Sequence, residues 1–195
     1  MPSTPAQLSF ADLGQSKPTD RLFFAIFPDL AAREAIVRVA AEVSARHGLR
    51  GKGVAPDRLH VTLHHLGDFA GLPQAVLDAA ERAAAQLEEP CFDIVFDRVG
   101  SFAAREQKPC VLLAAQGDTP VQRFQRALGD RLIANGQSAA VKRGFIPHVT
   151  LRYDRTLLPT EAVAAIGWNV RELILVHSLI GKSGYRELGR WPLRS

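Results

Sequence analysis

The tetrapeptide HVTL occurs twice in this chain, at His60–Leu63 within RLHVTLHHLGDF and at His148–Leu151 within FIPHVTLRYD. Both copies lie in apolar, β-branched surroundings that are typical of a strand. Because side chains alternate between the two faces of a strand, each histidine shares a face with the threonine two residues later. Each copy therefore predicts a strand with valine and leucine toward a core and a histidine–threonine pair on the opposite face.

Each HVTL copy closes a similar strand–helix–strand unit. In the first unit, the apolar run Arg21–Phe27 predicts a strand, followed by a helix with Asp29 as its N-cap and Gly48 at its end. In the second unit, CVLLAAQ predicts a strand, and TPVQ predicts a helix start whose capping box pairs Thr119 with Gln122. Two similar units indicate an internal duplication. Packed about an approximate two-fold axis, they would set the two HVTL strands face to face.

The remaining segments complete a predicted α+β fold. A helix is predicted from about Pro73 to Glu88, a strand in CFDIVFDRVGSF, and a terminal strand pair in VRELILVHSLI and YRELGRWPL. We expect a bilobal arrangement in which two antiparallel β-sheets line a central cleft, with the helices outside and a pseudo-two-fold internal duplication. Residues 1–20, rich in Pro, Ser and Thr, predict a flexible N-terminal tail, and residues 21–195 predict a single domain.

Composition narrows the class of partner. The 195 residues are 47% hydrophobic and 23% charged, which is ordinary for a globular protein, and the net charge is 24 − 20 = +4 with a pI near 9.4. This mild excess favours an anionic partner but lacks the dense basic stripe of a duplex-binding protein. The sequence has no apolar run of transmembrane length and no secretory signal, so we expect a cytoplasmic monomer without a membrane partner. Cys91 and Cys110 are expected to be buried, reduced thiols.

Two histidines on facing strands suit acid–base chemistry near neutral pH. Imidazole titrates near pH 6.5, so one ring can accept a proton while the other donates one. Hydrolysis of a phosphodiester needs that division: one group takes a proton from water and the other protonates the departing alkoxide. His60 and His148 are therefore the candidate catalytic pair, and Thr62 and Thr150 are placed to hold phosphate oxygens. This chemistry predicts no metal and no cofactor.

The chain resembles the two-histidine phosphoesterase superfamily, and within it the RNA 2′,3′-cyclic phosphodiesterases that are also called 2′-5′ RNA ligases. The resemblance rests on the paired HVTL motifs about ninety residues apart, the opening RLFFAI, the context FIPHVTL and the closing GRWPL, and it spans about Arg21 to Leu193. A single H-x-T motif is weak evidence, whereas the pair at this spacing is strong.

The resemblance implies metal-independent hydrolysis of an RNA 2′,3′-cyclic phosphate to a 2′-phosphomonoester. It implies that His60 and His148 form the acid–base pair and that Thr62 and Thr150 contact the phosphate. Of the two orders, we expect His60 to protonate the leaving 3′ oxygen and His148 to activate water, although two locally identical motifs do not themselves fix that order. Run backwards, the same site would join RNA ends through a 2′-5′ linkage.

The second motif departs from the pattern of its relatives. Many of them have an arginine two residues after the second H-x-T-L, where this chain has Tyr153, with Arg152 one residue earlier. We expect Arg152 to point away from His148 unless a bulge returns it, and Tyr153 to take the place of the usual arginine. Both are candidate substrate contacts.

Three further aromatic and imidazole side chains complete the candidate site. His64 and His65 stand where relatives more often have apolar residues. His64 shares the strand face of His60 and is a candidate to lie near the cleft, whereas His65 is expected to face the other way and to be structural. Phe24 is a candidate to stack on a base, although a core position is the one favoured for it.

Other functions fit the sequence less well. His60 and His64 have the spacing of a zinc-binding H-E-x-x-H, but Val61 replaces the glutamate and the run is strand-like. A non-catalytic RNA- or nucleotide-binding module is a second alternative, although all four motif residues are present. Within the enzymatic class, an RNA end, a small cyclic nucleotide, a 2′,5′-linked oligonucleotide and ADP-ribose cyclic phosphate remain open as substrates.

Overall fold

The computed structural model describes residues 17–103, 108–114, 117–182 and 184–195. Most of the expected N-terminal tail, residues 1–16, lies outside the described residues. Ordered pairing begins at Asp20, one residue earlier than the predicted strand, and the Asp20 carboxylate contacts His177 Nε2 at 2.6 Å. Among the described helices, none has the length and apolar character needed to span a bilayer.

The described residues form nine strands and three α-helices in an α+β arrangement. The strands are β1 (Asp20–Ile26), β2 (Lys52–Gly53), β3 (Val61–Phe69), β4 (Phe92–Ser101), β5 (Lys108–Ala114), β6 (His148–Asp154), β7 (Glu161–Val170), β8 (Glu172–Leu179) and β9 (Tyr185–Pro192). The helices are α1 (Leu30–His47), α2 (Gln74–Ala85) and α3 (Pro120–Ala134). Short 3₁₀ turns cover Pro56–Arg58 and Ser138–Ala140.

The strands build two antiparallel sheets that correspond strand by strand. One sheet has the order β3-β1-β8-β9, and the other has the order β2-β6-β5-β4-β7. Setting β2 aside, β3 corresponds to β6 and β1 to β5, and each pair is joined through a helix, α1 or α3. The two HVTL strands occupy equivalent places and lie against each other, so the predicted fold class and duplication are confirmed.

Capping residues set the ends of the helices, as the sequence predicts. The Asp29 side chain accepts a hydrogen bond from the backbone N–H of Ala32 at 2.8 Å, and Gly48 ends α1 with a φ of 62°, a conformation that glycine adopts without a steric penalty. Thr119 and Gln122 form the predicted capping box at the start of α3. These caps fix the register of the helices that connect the paired strands.

One face of β1 belongs to the main hydrophobic core and the other does not. Phe24 is 0% exposed and packs in the core beside Trp191, with ring centroids 6.0 Å apart. Strand alternation turns Phe24 inward, so the favoured core position is confirmed and the candidate role of Phe24 as a substrate contact is wrong. Its neighbour Phe23 lies on the opposite face, in a small cluster with Ala25 and Ile174.

Two strands are absent from the sequence prediction. No element was assigned to β7, whose alanine-rich sequence EAVAAIGWNV has weak strand propensity, yet it pairs along β4 and buries Trp168 against Phe96. β2 has only two residues and no sequence signal. In both cases tertiary pairing decides the structure, and local preference does not.

The two cysteines are unpaired with each other in the described part of the chain. Cys110 is buried on β5, and burial raises the pKa of its thiol to about 11, so it is protonated and unreactive at neutral pH. Cys91 is only half-buried, in contrast to the expectation that both thiols are enclosed.

The burial of Phe24 predicts a large effect of its truncation on stability. Phe24→Ala removes a fully buried ring from the core and should lower the free energy of unfolding by about 3–5 kcal/mol. Urea denaturation followed by circular dichroism measures this change. Val95→Ala, on the half-exposed face of β4, is the control and should stay within about 0.5 kcal/mol of the wild type. A similarly small loss for Phe24→Ala would mean that its ring is not in the core.

A candidate two-histidine active site

The structure brings both HVTL motifs to one cleft of about 450 Å³ between the two sheets. All four predicted residues, His60, Thr62, His148 and Thr150, line it. His148 is the first residue of β6, and His60 immediately precedes β3. The cleft is also lined by residues of β1, β2, β8 and β9, which are Arg21, Phe23, Lys52, Gly53, Ser178 and Tyr185.

The two imidazole rings are anchored in the same way. Nδ1 of His60 lies 2.7 Å from the carbonyl oxygen of Arg58, and Nδ1 of His148 lies 2.7 Å from the carbonyl oxygen of Ile146. A carbonyl oxygen only accepts, so in each ring Nδ1 carries the proton and donates it. The neutral form of each imidazole therefore has its unprotonated nitrogen at Nε2, where a general base needs it.

Thr62 contacts the reactive nitrogen of the first histidine. Its Oγ1 lies 2.9 Å from Nε2 of His60. With Nδ1 of His60 already protonated, the threonine hydroxyl donates and Nε2 accepts. In the free protein, the Thr62 hydroxyl therefore already donates a hydrogen bond to the Nε2 lone pair of His60 that proton transfer would use.

Burial lowers the pKa of both histidines. The pKa of His60 falls to about 4, chiefly because burial penalises the charged ring and further because His148 and the Arg58 guanidinium repel it; the Arg58 carbonyl opposes the shift. Burial also lowers the pKa of His148, opposed by the Ile146 carbonyl. A lowered imidazole pKa means that both rings are neutral in the free protein at pH 7.

Aromatic rings enclose the first histidine more fully than the second. The centroid of the His60 ring lies 5.1 Å from Phe23, 5.8 Å from Phe27 and 5.5 Å from Tyr185. The His148 ring has an edge-on contact with Phe102 at 5.0 Å. This difference in apolar surroundings agrees with the strongly lowered pKa of His60.

A β-bulge in the first motif reverses the expected positions of His64 and His65. Along β1 the partner changes from Thr62 opposite Ala25 to His64 opposite Phe24, so Leu63 is an extra residue in β3. His64 consequently turns inward and is buried, with Nε2 2.9 Å from the Gln125 carbonyl oxygen. His65 instead lines the cleft. The predictions of His64 near the cleft and of His65 as purely structural are both wrong, because alternation was assumed to continue past the leucine.

The second motif contains a bulge at the equivalent leucine. Thr150 pairs with Val111 and Arg152 with Cys110, so Leu151 is the extra residue in β6. Regular alternation would put Arg152 on the same strand face as His148. The bulge turns Arg152 to the other face, which is the reverse of the effect expected of a bulge here.

The bulge turns Arg152 away from the cleft and Tyr153 toward it. Nη1 of Arg152 donates to the carbonyl oxygens of Leu49, at 3.0 Å, and Gly51, at 3.1 Å. Tyr153 lines the cleft and is 47% exposed. Of the two residues after the second HVTL, only Tyr153 is placed to meet a substrate.

The cleft is electropositive. Arg21, Lys52 and Arg58 line it, and none of the described residues that line it is an aspartate or glutamate. A larger cavity of about 570 Å³ lies beyond Tyr185, beside the start of α1, but it contains neither HVTL histidine and is lined by Asp29, Asp57, Glu172 and Glu187 as well as three arginines. The histidine cleft is therefore the better place for an anion.

Several cleft residues carry no signal in the sequence. Arg58 and Lys52 lie in a loop and a two-residue strand, and Tyr185 reaches the cleft from β9 at the far end of the chain. Of these, only Arg58 is close in sequence to a motif, two residues before His60. The bulge at Leu63 also separates the zinc-like pair, because His64 faces the Gln125 carbonyl while His60 faces the cleft.

Comparison with known proteins identifies the family of this chain. The 2′-5′ RNA ligase superfamily matches residues 27–179 of the chain. The chain belongs to the 2′-5′ RNA ligase superfamily. The expected resemblance to this group is thereby confirmed.

Individual relatives align over nearly the whole chain. The RNA 2′,3′-cyclic phosphodiesterase of Escherichia coli (strain K12) is 28% identical over 177 residues, which is 89% of this chain and 96% of the relative. The crystal structure of E. coli LigT in its apo form superposes with a TM-score of 0.70 and 26% identity over 92% of this chain and all of LigT. The crystal structure of TT0787 of Thermus thermophilus gives a TM-score of 0.66 and 25% identity over 89% of this chain and 98% of TT0787.

The anchoring of the two rings predicts their tautomers and titration. Long-range proton–nitrogen correlation spectra should show His60 and His148 as the neutral Nδ1–H tautomer at pH 7. The pKa of His60 should be about 4 and that of His148 below 6.5, because burial disfavours the charged rings. Each ring should take up its second proton only as the pH falls through its own value. A proton on Nε2 at pH 7, or a His60 midpoint near 6.5, would contradict the geometry.

Proposed function

We propose that this protein hydrolyses the 2′,3′-cyclic phosphate at an RNA 3′ end and releases a 2′-phosphomonoester. The observation that carries the proposal is the pair of matching imidazoles, each with Nδ1 bonded to a carbonyl, in one cation-lined cleft. Its similarity to a relative named as an RNA 2′,3′-cyclic phosphodiesterase supports the substrate class. A solved structure of E. coli LigT with 3′-AMP supports a cleft that accepts a terminal nucleotide.

The proposed reaction is a single displacement at phosphorus. Nε2 of His148 takes a proton from water while the water oxygen forms a bond to phosphorus. The bond from phosphorus to the 3′ oxygen breaks, and protonated Nε2 of His60 gives its proton to that oxygen. The product carries a 2′-phosphate and a free 3′-hydroxyl, His148 ends protonated and His60 neutral, and exchange with solvent restores the starting state.

The low pKa of His60 fits its proposed role as the acid. The ring is neutral in the empty cleft, so it becomes protonated only when an anionic phosphate stabilises the charge. Once protonated in apolar surroundings, it is a strong acid toward the developing alkoxide. Among the described residues, one aromatic ring, that of Phe102, contacts His148, and Nε2 of His148 is proposed to take the proton from water.

The threonines are proposed to hold the non-bridging phosphate oxygens. Thr150 follows His148 by two residues on β6, as Thr62 follows His60, and both line the cleft. When Nε2 of His60 is protonated, it no longer accepts the Thr62 hydroxyl, which can then donate to phosphate instead. Both hydroxyls would thus contact the phosphate as its charge builds up. Because the imidazoles and hydroxyls together supply each proton transfer and charge contact, the mechanism is proposed to require no metal.

The same site is proposed to catalyse 2′-5′ ligation when RNA ends are concentrated. Ligation is the same displacement with a different nucleophile: the 5′-hydroxyl oxygen bonds to phosphorus, the bond to the 3′ oxygen breaks, and a 2′-5′ diester forms while His60 protonates the 3′ oxygen. With a 5′-hydroxyl replacing water, His148 would accept its proton. In dilute aqueous solution, the excess of water favours hydrolysis.

Removing either histidine should abolish most turnover. His60→Ala and His148→Ala should each lower kcat/KM by about 10²–10⁴ on an oligoribonucleotide ending in a 2′,3′-cyclic phosphate, measured with EDTA present. His47→Ala is the matched control, because His47 contacts Glu161 outside the cleft. The wild type should yield a 2′-phosphate; a 3′-phosphate product, or a near-normal rate for either motif variant, would refute the mechanism.

A substrate with a better leaving group distinguishes the two roles. In an analogue whose 3′ oxygen is sulfur, the departing thiolate needs no proton, so loss of the acid costs less. The factor by which His60→Ala lowers the rate should therefore be at least about tenfold smaller on the sulfur analogue than on the oxygen substrate. His148→Ala should lower the rate by the same factor on both substrates. Recovery by His148→Ala instead would show that the roles are exchanged.

A further inference from the structure

Among the described residues, three basic side chains line the cleft, and they differ in what they already bind. Arg21 forms two hydrogen bonds to the Asp68 carboxylate, both at 2.7 Å, so its charge is matched and its planar fork is occupied. Asp68 also contacts Nε2 of His65 at 2.9 Å. Lys52 lies exposed on the short strand β2 at the margin of the cleft. Arg58 is the remaining cation.

Arg58 is held in place without a counter-ion among the described residues. Its guanidinium carbon lies 4.5 Å from the centroid of the Tyr185 ring, a cation–π contact that restricts its direction. Its Nε is buried and has no hydrogen-bond partner in the part of the chain that the structure describes. Its backbone carbonyl accepts the hydrogen bond from Nδ1 of His60, so the backbone of Arg58 is fixed relative to the first imidazole.

With Nε buried and unpaired, the charge of the guanidinium is unmatched among the described residues, and an anion bound in the cleft at its other N–H groups would offset that cost. Guanidinium presents parallel N–H groups that match two oxygens of a phosphate. The ligand that fits a half-buried, ring-stacked arginine in a cleft lined by two histidines and two threonines is a phosphate group. No carboxylate among the described residues that line the cleft competes for this position.

We propose that Arg58 binds a non-bridging oxygen of the substrate phosphate and stabilises the charge that builds up there. This assignment rests on the proposed phosphodiesterase function for its catalytic part, and on the cleft geometry alone for its anion-binding part. Arg152 is not available for this task, because its Nη1 is bonded to the carbonyls of Leu49 and Gly51. Tyr153 lines the same cleft but carries no positive charge.

The position of Tyr153 provides a second site from which an arginine could reach the phosphate. The bulge at Leu151 brings its side chain into the cleft from β6, whereas Arg58 enters beside β3. The two positions therefore flank the histidine pair from different sheets. Replacing Arg58 and placing an arginine at position 153 instead keeps the charge of the cleft. The guanidinium then enters the cleft from β6 and not from beside β3.

Two readouts test this assignment. The first is the Kd of inorganic phosphate by NMR titration, which requires no turnover, and the second is kcat/KM on an RNA with a 2′,3′-cyclic phosphate end. Arg58→Gln should weaken phosphate binding at least about tenfold and lower kcat/KM by about 10²–10³. Arg58→Lys should recover part of both, because it keeps the charge but not the fork. Arg38→Gln, an exposed change of equal charge on α1, is the matched control and should alter neither.

The double variant Arg58→Gln/Tyr153→Arg tests whether a guanidinium in the cleft is what matters. Its kcat/KM should be at least about tenfold higher than that of Arg58→Gln. Thermal unfolding is used to confirm that both variants are folded. Unchanged phosphate affinity and turnover in Arg58→Gln would overturn the proposal. So would a shifted pH profile with unchanged phosphate affinity, since Arg58 would then act only on the pKa of His60.

The outcomes separate this inference from the proposed function. If the wild type binds phosphate, Arg58→Gln loses that binding, and no cyclic phosphate is hydrolysed, then the anion site stands and the phosphodiesterase function fails. If hydrolysis proceeds and Arg58→Gln has no effect on either readout, then the function stands and the role of Arg58 fails.

Discussion

The hydrogen bond from Nδ1 of each HVTL histidine to the carbonyl two residues earlier is the contact on which the site depends. It fixes the tautomer, directs Nε2 into the cleft, and does so identically at His60 and His148. A duplicated strand and a duplicated bond thus give two chemically equivalent bases. Their environments then make them unequal, because Phe23, Phe27 and Tyr185 surround only the first ring. In the proposed mechanism, this difference in packing around identical motifs would assign the acid role to one histidine and the base role to the other.

Much of the fold could be predicted from the sequence because its signals are local. Apolar runs, helix caps and the repeated HVTL identify β1, α1, β3, β5, α3 and β6, together with their duplication. β7 was missed because its alanine-rich sequence forms a strand only through pairing with β4. For the site, the period of two correctly brought His60, Thr62, His148 and Thr150 to one cleft.

The misplacement of His64 and His65 has one physical cause, which is the loss of alternation at Leu63, and the matching loss at Leu151 is what turns Arg152 away from the cleft, as expected, although regular alternation would not have done so. A bulge depends on how a strand pairs with its neighbour, and one strand's sequence does not reveal it. Beyond Leu63 the faces exchange, so His64 is buried and His65 lines the cleft; beyond Leu151, Tyr153 enters and Arg152 leaves. Tyr185 was missed for a related reason, because only tertiary packing brings it to the histidines, whereas Arg58 was missed because an arginine in a short turn before a strand carries no motif of its own.

The contact between Thr62 and His60 also bears on how a product could leave. A 2′-phosphate carries more negative charge than the cyclic diester from which it forms, so it would favour protonated histidines and bind them more tightly. When His60 loses its proton, Nε2 regains the Thr62 hydroxyl as an internal partner at 2.9 Å. That hydroxyl then no longer donates to phosphate. The transfer of the His60 proton to the 3′ oxygen would thereby remove two contacts to the product at once, so that the chemical step itself would loosen the product.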